Sequence, residues 1–309
     1  MSIGAEPERS VGAFLCQAGR MLRAAGVEAP RLEARLLLAH ALRCREEDLL
    51  RDPAAPVPAE AAAVFEAAVR RRCAREPLAH ILGRQGFWTL DLEVSPATLI
   101  PRADSEAVVE AALAAVAGRG PIRRVLDLGT GTGALLLAIL AEIPGAWGVG
   151  VDVSAEAVAL AARNAAANGL AGRAAFVVGS WADALAGRFD LVVSNPPYIP
   201  SADIDGLMAE VARYEPRRAL DGGADGLAAY ARIMAGLSSL LSPAGVAVFE
   251  LGSGQRSAVA ALAHAHGLRE IGIRHDLGGV ERAIILAGQE AALSGEKNVW
   301  RGAEARLTW

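Results

Sequence analysis

Lysine is all but missing from this chain: Lys297 stands alone among the 31 lysines and arginines. Acidic residues number 35, and the formal net charge is −4. That balance argues against a large non-specific nucleic-acid surface, which needs a basic stripe. A local one stays open, since the positive charge is nearly all arginine. Cysteine is also scarce. Cys16, Cys44 and Cys73 show no C-x-x-C spacing, and small buried hydrophobes in a reduced, cytoplasmic protein are the expectation. Long apolar runs are absent. The longest, "ALLLAILAEI", stops at Pro144, too short to span a bilayer. The opening "MSIGAEPERS" has no basic segment followed by an apolar core and does not read as a signal peptide. Five histidines give no metal site: His264 and His266 are two apart and face different ways on a helix. No Ser-His-Asp or Cys-His arrangement stands out.

What is present is globular: 53% hydrophobic and 21% charged, over 309 residues, a length that suits about two domains. Residues 1–80 read as a small helical bundle. "VGAFLCQAGRMLRAAG" has apolar residues three and four apart and stops at Gly26. "APRLEARLLLAHALR" has Pro30 in its first turn, and "PAEAAAVFEAAVRRRCARE" follows the break "DPAAPVP". The texture changes at Pro77. "GFWTLDLEVSP" alternates apolar and polar residues as a strand or hairpin does, so 81–101 reads as a linker.

From 102 to 287 strands and helices alternate. "RRVLDLG", "WGVGVDVS", "AAFVVG", "FDLVVSN" and "GVAVFEL" read as strands, and "LREIGIRH" with "ERAIILAG" as a closing antiparallel pair. This pattern predicts an α/β, mostly parallel sheet with helices on both faces and a ligand at the carboxyl ends of its strands. The tail 288–309 is weakly patterned and expected to be partly mobile, with Trp300 and Trp309 able to dock it.

Two stretches carry chemistry. In "VLDLGTGTGALLLAIL" a strand, a glycine turn and a helix follow one another. Gly129, Gly131 and Gly133 let the backbone turn tightly and approach a ligand. Asp152 ends the next strand, where ribose hydroxyls are gripped, although a helix cap beside Ser154 also fits. The glycines alone also match a looser dinucleotide fingerprint. Asp127 weighs against it, because a carboxylate there repels phosphates and favours the ammonium and sulfonium of S-adenosyl-L-methionine.

The second stretch is "SNPPYIP" (194–200), which ends the strand "FDLVV". Asn195 and Pro196 each precede a proline and are held extended, and Pro196 and Pro197 have fixed φ. The Asn195 side-chain oxygen and the Pro196 carbonyl are then two acceptors in a rigid frame, and Tyr198 adds a flat face and a hydroxyl. Such a frame suits a planar –NH2 group. Each N–H goes to one acceptor, and the nitrogen lone pair points at an electrophile.

Together with "FWTLDLEVSPATLIPRADSE", these motifs resemble the HemK/PrmC family over about residues 10–287. "NPPY" is shared with DNA and RNA amino-methyltransferases; "PATLIPR" followed by an acidic pair is more specific. The resemblance implies a helical substrate-recognition domain, a hairpin linker and a class I methyltransferase domain. It implies N5-methylation of the Gly-Gly-Gln glutamine in class 1 peptide-chain release factors, with no membrane and no direct nucleic-acid partner. By resemblance Asp127, Gly129, Thr130, Gly131, Thr132 and Gly133 hold the methionine end of S-adenosyl-L-methionine, Asp152 the ribose and Trp181 the adenine. Asn195, Pro196, Pro197 and Tyr198 hold the glutamine. Trp181 also reads as a plain core aromatic. Ala103 and Ser105 stand where the family often has Pro and Thr. Arg102, Asp104 and Glu106 either shape the substrate mouth or, the favoured reading, leave Arg102 and Glu106 paired at a helix start, and Glu215, with Arg217 and Arg218, reads as a rim or a loop tie. An adenine-N6 or cytosine-N4 methyltransferase acting on a flipped base is the alternative, disfavoured by the acidic charge. A nicotinamide oxidoreductase leaves "NPPY" unexplained, and the intact acceptor motif disfavours a binding module without chemistry.

Overall fold

The computed structural model describes residues 10–183 and 185–288. Two compact units divide the chain. The first holds residues 1–85, 94–96 and 205–216; the second holds 86–93, 97–204 and 217–309. Of the C-terminal tail only Gly288 is described, and the expectations for Trp300 and Trp309 lie outside the described residues. No helix among the described residues is long and apolar enough to cross a membrane.

The first unit is helical. α1 (Val11–Ala24) starts at Ser10, whose hydroxyl accepts from the Ala13 N–H. α2 (Pro30–Leu42) has proline in its first turn, and α3 (Glu46–Arg51), α4 (Ala59–Cys73) and α5 (Leu78–Leu82) follow. Their inner faces bring Phe14, Leu22, Leu37, Leu38, Phe65 and Val69 into one core. The cysteines depart from expectation. Cys16 and Cys44 are exposed and Cys73 is half-buried. Cys16 lies on an outer face of α1, where it accepts from Arg20, and Cys44 follows the left-handed Arg43 cap of α2.

The first unit also takes in a late segment. α9 (Ala209–Tyr214; α6 to α8 are given below) brings Glu210 to Arg72 and Arg75, and the Tyr214 hydroxyl donates to the Ala74 carbonyl at 2.9 Å. Arg72 also meets Glu33 on α2 at 2.5 Å. Glu210 and Arg72 are both buried, so each arginine–carboxylate contact replaces water that burial has removed.

The second unit opens on a hairpin of β1 (Arg84–Phe87) and β2 (Leu90–Glu93) and continues with α6 (Glu106–Val116). A seven-stranded sheet follows: β3 (Arg124–Leu128), β4 (Trp147–Asp152), β5 (Ala174–Val178), β6 (Phe189–Ser194), β7 (Leu241–Glu250), β8 (Leu268–His275) and β9 (Glu281–Gly288). Their order is β5-β4-β3-β6-β7-β9-β8, and β9 alone runs antiparallel between β7 and β8. The remaining helices are α7 (Ala134–Glu142), α8 (Ala155–Ala167), α10 (Ala228–Leu240) and α11 (Arg256–Ala265). His266 caps the end of α11 rather than lying within it.

The period-2 rule sorts the core. Val125, Leu191, Val193, Val246, Val248 and Ile285 face α6 and α7. Leu126, Leu128, Val192, Ala247, Phe249 and Ile284 face α10 and α11. Both sheet faces are covered, so the strands read as near-continuous apolar runs and their exposed groups gather at the strand ends. In the five parallel strands the carboxyl ends lie on one edge, where Asp127, Asp152 and Asn195 fall.

Candidate active site

A cavity of about 250 Å³ opens at those strand ends, wholly within the second unit. Its wall includes Asp127, Gly129, Thr130, Gly131, Thr132, Asp152, Trp181, Asn195 and Pro197. Thr98, Ser105 and Arg218 join them. Gly133, Pro196 and Tyr198, also expected here, are not among its lining residues.

The turn after β3 needs its glycines. Gly129 and Gly133 have φ of +74° and +84°, in the left-handed region that side chains disfavour. A Cβ at Gly129 would also meet the Trp181 ring at 3.3 Å, so the indole lies against this glycine on the cavity wall. Trp181 itself has φ of +49°, a costly conformation for a bulky residue and one that clusters at functional sites. Asp152 holds the loop from the next strand. Its Oδ2 accepts from Gly131 N–H and its Oδ1 from Ser154 N–H, both at 2.9 Å. Ser154 is itself the cap of α8. Asp152 therefore braces the loop and lines the cavity at once. Asn164, fully buried on α8, donates to the Thr132 and Glu93 carbonyls and accepts from Glu93 N–H at 2.7 Å.

Asp127 is 1% exposed. Burial raises its carboxyl to about 7, against a 2.7 Å hydrogen bond donated by Thr130. Its Oδ1 is buried without a hydrogen-bond partner among the described residues, as is Thr98 Oγ1. Buried polar atoms on a cavity wall are satisfied by something that enters it. An unpaired carboxylate oxygen calls for a cation or a donor, so the site suits a ligand that carries an ammonium.

The acceptor stretch is held from three sides. Ile199 donates to the Leu220 carbonyl and accepts from Gly222, extending the sheet pattern past β6. Ser201 donates to Asp221 at 2.5 Å, and Arg217 bonds the same carboxylate, so "RRALDGG" ties this segment down. Arg218 reaches the cavity and donates to the Ala97 carbonyl and to Ser154 Oγ. Glu215 is buried and belongs to the first unit. The Gln255 amide donates to the Tyr198 carbonyl at 3.0 Å. A Cβ at Gly226 would come within 2.3 Å of that carbonyl oxygen, and one at Gly252 within 2.9 Å of the Tyr198 ring.

Asn195 Nδ2 donates to Ser105 Oγ at 3.2 Å, which leaves Oδ1 as the free acceptor. Among the described residues no donor is set against Oδ1 or the Pro196 carbonyl. The Tyr198 hydroxyl donates to Glu250 Oε1 at 3.2 Å. Burial and the neighbouring Glu250 carboxylate both push the tyrosine above its ordinary range, so it stays a neutral phenol. Glu106 spends one oxygen on the Trp88 N–H at 2.8 Å, and Asp104 lies 3.5 Å from Arg282. Among the described residues no group of His, Cys, Asp and Glu is arranged to hold a metal. Ser105, Asn164, Glu250 and Gln255 were not foreseen. Only the "PRADSE" motif hinted at the first, and nothing local marks the other three.

A mostly parallel sheet of this order, with a glycine loop after its first strand and an acidic residue ending the second, defines a class I methyltransferase. The catalytic domain of hMettl16, solved in complex with the MAT2A 3′UTR hairpin 6, has this fold. It aligns over 74% of this chain and 81% of its own with a TM-score of 0.52 and 14% identity. Residues 14–83 match the PrmC N-terminal domain and residues 109–223 the methyltransferase small domain. The release factor glutamine methyltransferase of Rhodospirillum rubrum is 51% identical, over 93% of this chain and 89% of its own. That of Caulobacter vibrioides is 43% identical, over 85% and 91%. The chain belongs to the release factor glutamine methyltransferase family.

Proposed function

We propose that this enzyme transfers a methyl group from S-adenosyl-L-methionine to N5 of the glutamine in the Gly-Gly-Gln motif of class 1 peptide-chain release factors. One observation carries the reading. Asn195 Oδ1 and the Pro196 carbonyl are rigid acceptors without a described donor, and Asn195 stands on the wall of the glycine-loop cavity. An –NH2 group with two donors matches that pair.

Asp127 would hold the ammonium of the cofactor, the 129–133 turn its methionine end, Asp152 the ribose hydroxyls and Trp181 the adenine face. When bound, the cofactor supplies an electrophilic methyl group on a sulfonium. The protein's work is orientation. An amide nitrogen is a poor nucleophile because its lone pair is delocalised into the carbonyl. Asn195 and Pro196 each take one N–H, which fixes the plane of the –NH2 and draws electron density onto nitrogen. Asn195 is neutral, so it accepts without the desolvation cost of a carboxylate. The alkylated nitrogen is strongly acidic and gives up its proton after transfer, so no strong base is needed. The Tyr198 ring flanks the amide plane.

One side-chain amide supplies little affinity. The helical first unit, which carries none of these groups, is therefore assigned to recognising the release factor away from its tripeptide loop. An activity on release factors belongs in the cytoplasm, where termination occurs.

The test is incubation with methyl-labelled cofactor and three acceptors: whole release factor, the same factor with Gln→Ala in the tripeptide, and single-stranded DNA or RNA. Label on the first alone supports the reading. Label on nucleic acid, or on both factors equally, overturns it.

A further inference from the structure

Thr98 stands in a bend between β2 and α6 and is 3% exposed, yet it lines the cavity. Its Oγ1 is buried with no hydrogen-bond partner among the described residues. A threonine hydroxyl carries one donor and two acceptor sites, so burial without a partner costs it water and returns nothing. The backbone before it is tied down. Arg218, in the same unit, donates to the Ala97 carbonyl at 2.8 Å and so holds the peptide group that leads into Thr98. The side chain packs over the middle of the glycine turn, where a Cβ on Gly131 would lie 4.0 Å from Thr98 Cβ. Two other hydroxyls on the cavity wall are already engaged, Thr130 with Asp127 and Ser105 with Asn195.

We propose that Thr98 is a cofactor-binding residue, whose hydroxyl donates to the carboxylate at the amino-acid end of S-adenosyl-L-methionine. The inference rests on the reading that the cavity binds this cofactor with its methionine end on the 129–133 turn. That end is a zwitterion. Asp127, buried and with one oxygen unpaired, suits the ammonium. It repels the carboxylate, which needs a donor from another part of the wall. Asp127 belongs to β3, whereas Thr98 comes to the turn from the segment after β2. Its hydroxyl is neutral and is the donor there that no protein group has taken. The empty protein carries the cost of that unpaired group, and the bound protein recovers it. Valine, of nearly the same shape, would remove the cost and the contact together. Binding and stability are thereby set against each other at one atom, a signature that a merely structural threonine does not have.

The test measures binding of S-adenosylhomocysteine and of 5′-methylthioadenosine to wild type, Thr98→Val and Thr98→Ser by calorimetry, with thermal denaturation of each empty protein. 5′-Methylthioadenosine keeps the adenine, ribose and thioether and lacks the amino-acid end. Thr98→Val should weaken S-adenosylhomocysteine binding by about 10- to 100-fold, the scale of a hydrogen bond to a charged group. It should leave 5′-methylthioadenosine within about twofold, as expected for a site that the ligand does not touch. Its melting temperature without ligand should equal or exceed that of wild type. Thr98→Ser keeps the donor and should keep most of the S-adenosylhomocysteine affinity. Wild-type affinity for S-adenosylhomocysteine in Thr98→Val overturns the proposal. Equal losses on the two ligands overturn it too, because the contact would then lie on the nucleoside. A lower melting temperature of the empty valine variant contradicts the unpaired hydroxyl, and a serine variant as weak as the valine one contradicts its role as donor. A wild type that binds neither ligand overturns the cofactor reading and the role of Thr98 with it. A wild type that binds both, with an unaffected valine variant, overturns the role of Thr98 alone.

Discussion

Asn195 Nδ2 meets Ser105 Oγ at 3.2 Å across a separation of 90 residues. The contact joins the stretch that follows β6 to the turn that precedes α6, and it spends the donor of an amide whose acceptor is proposed to receive the substrate. Asn195→Ala should therefore abolish measurable transfer while S-adenosylhomocysteine affinity stays near wild type. Asn195→Asp should keep a small fraction of the rate, because it still accepts but cannot donate to Ser105 and puts a charge at a half-buried position. Calorimetry and a turnover assay on the same preparations check both. Full turnover in the alanine variant would contradict the mechanism.

Asp127 links cofactor binding to pH. Its carboxyl is raised to about 7, so the folded, empty protein holds a proton there that the unfolded chain gives up in mildly acid solution. The sign follows: stability of the empty protein falls as pH rises from the ordinary carboxyl range toward 7 and levels off above it. An ammonium beside Asp127 favours the ionised form. S-adenosylhomocysteine binding at pH 6 should thus release up to about one proton and weaken as pH drops. Calorimetry in buffers of different ionisation enthalpy reads this directly, and Asp127→Asn should remove the release. Binding without proton exchange at pH 6 would mean that the ammonium lies elsewhere.

Much of this was legible in the sequence. Parallel strands buried on both faces leave continuous apolar runs, and each ends in a residue that has no reason to be apolar, which is how Asp127, Asp152 and Asn195 stood out. The glycine turn announced its left-handed φ values through composition. Contacts between residues far apart in the sequence were silent. Glu250 ends "VAVFE" and looks like any strand terminus; its partner Tyr198 is 52 residues away. The contact of Arg72 with Glu210 spans 138 residues. Local periodicity holds no record of such pairs. α6 carried no clear stripe, because Val108, Val109, Ala111 and Ala112 are all buried. The cysteines misled because residue type predicts burial only on average, and Cys16 happens to lie on an outer face.

Asp152→Ala should weaken S-adenosylhomocysteine binding by about 1.5–3 kcal/mol, the scale of hydrogen bonds to a charged group. Part of that loss comes from the freed Gly131 N–H, so the loop as well as the ribose contact is affected. Unchanged affinity would misplace the ribose.

Glu210→Ala should cost on the order of 3 kcal/mol of stability, as expected when a buried ion pair loses one partner. Burial alone would raise this carboxyl, but a hydrogen bond from its own backbone N–H, and then those from Arg72 and Arg75, hold it below its ordinary value. A lowered value means that the contribution is present at neutral pH and lost as acid protonates the group. Chemical denaturation at neutral pH and at about pH 4 reads both effects, and the wild-type advantage should shrink at the lower pH. A neutral-pH change under about 0.5 kcal/mol, ordinary for a surface site, would contradict the buried network.

The central claim is that the methyl group goes to the amide nitrogen of one glutamine. Fragmentation mass spectrometry of whole release factor, treated with enzyme and cofactor, tests it most directly. The account predicts a single added methyl, on the side-chain amide of the Gly-Gly-Gln glutamine, absent when Asn195→Ala replaces the wild type. A methyl on any other residue, or on the tripeptide glutamine with the Asn195→Ala enzyme at full yield, would contradict it.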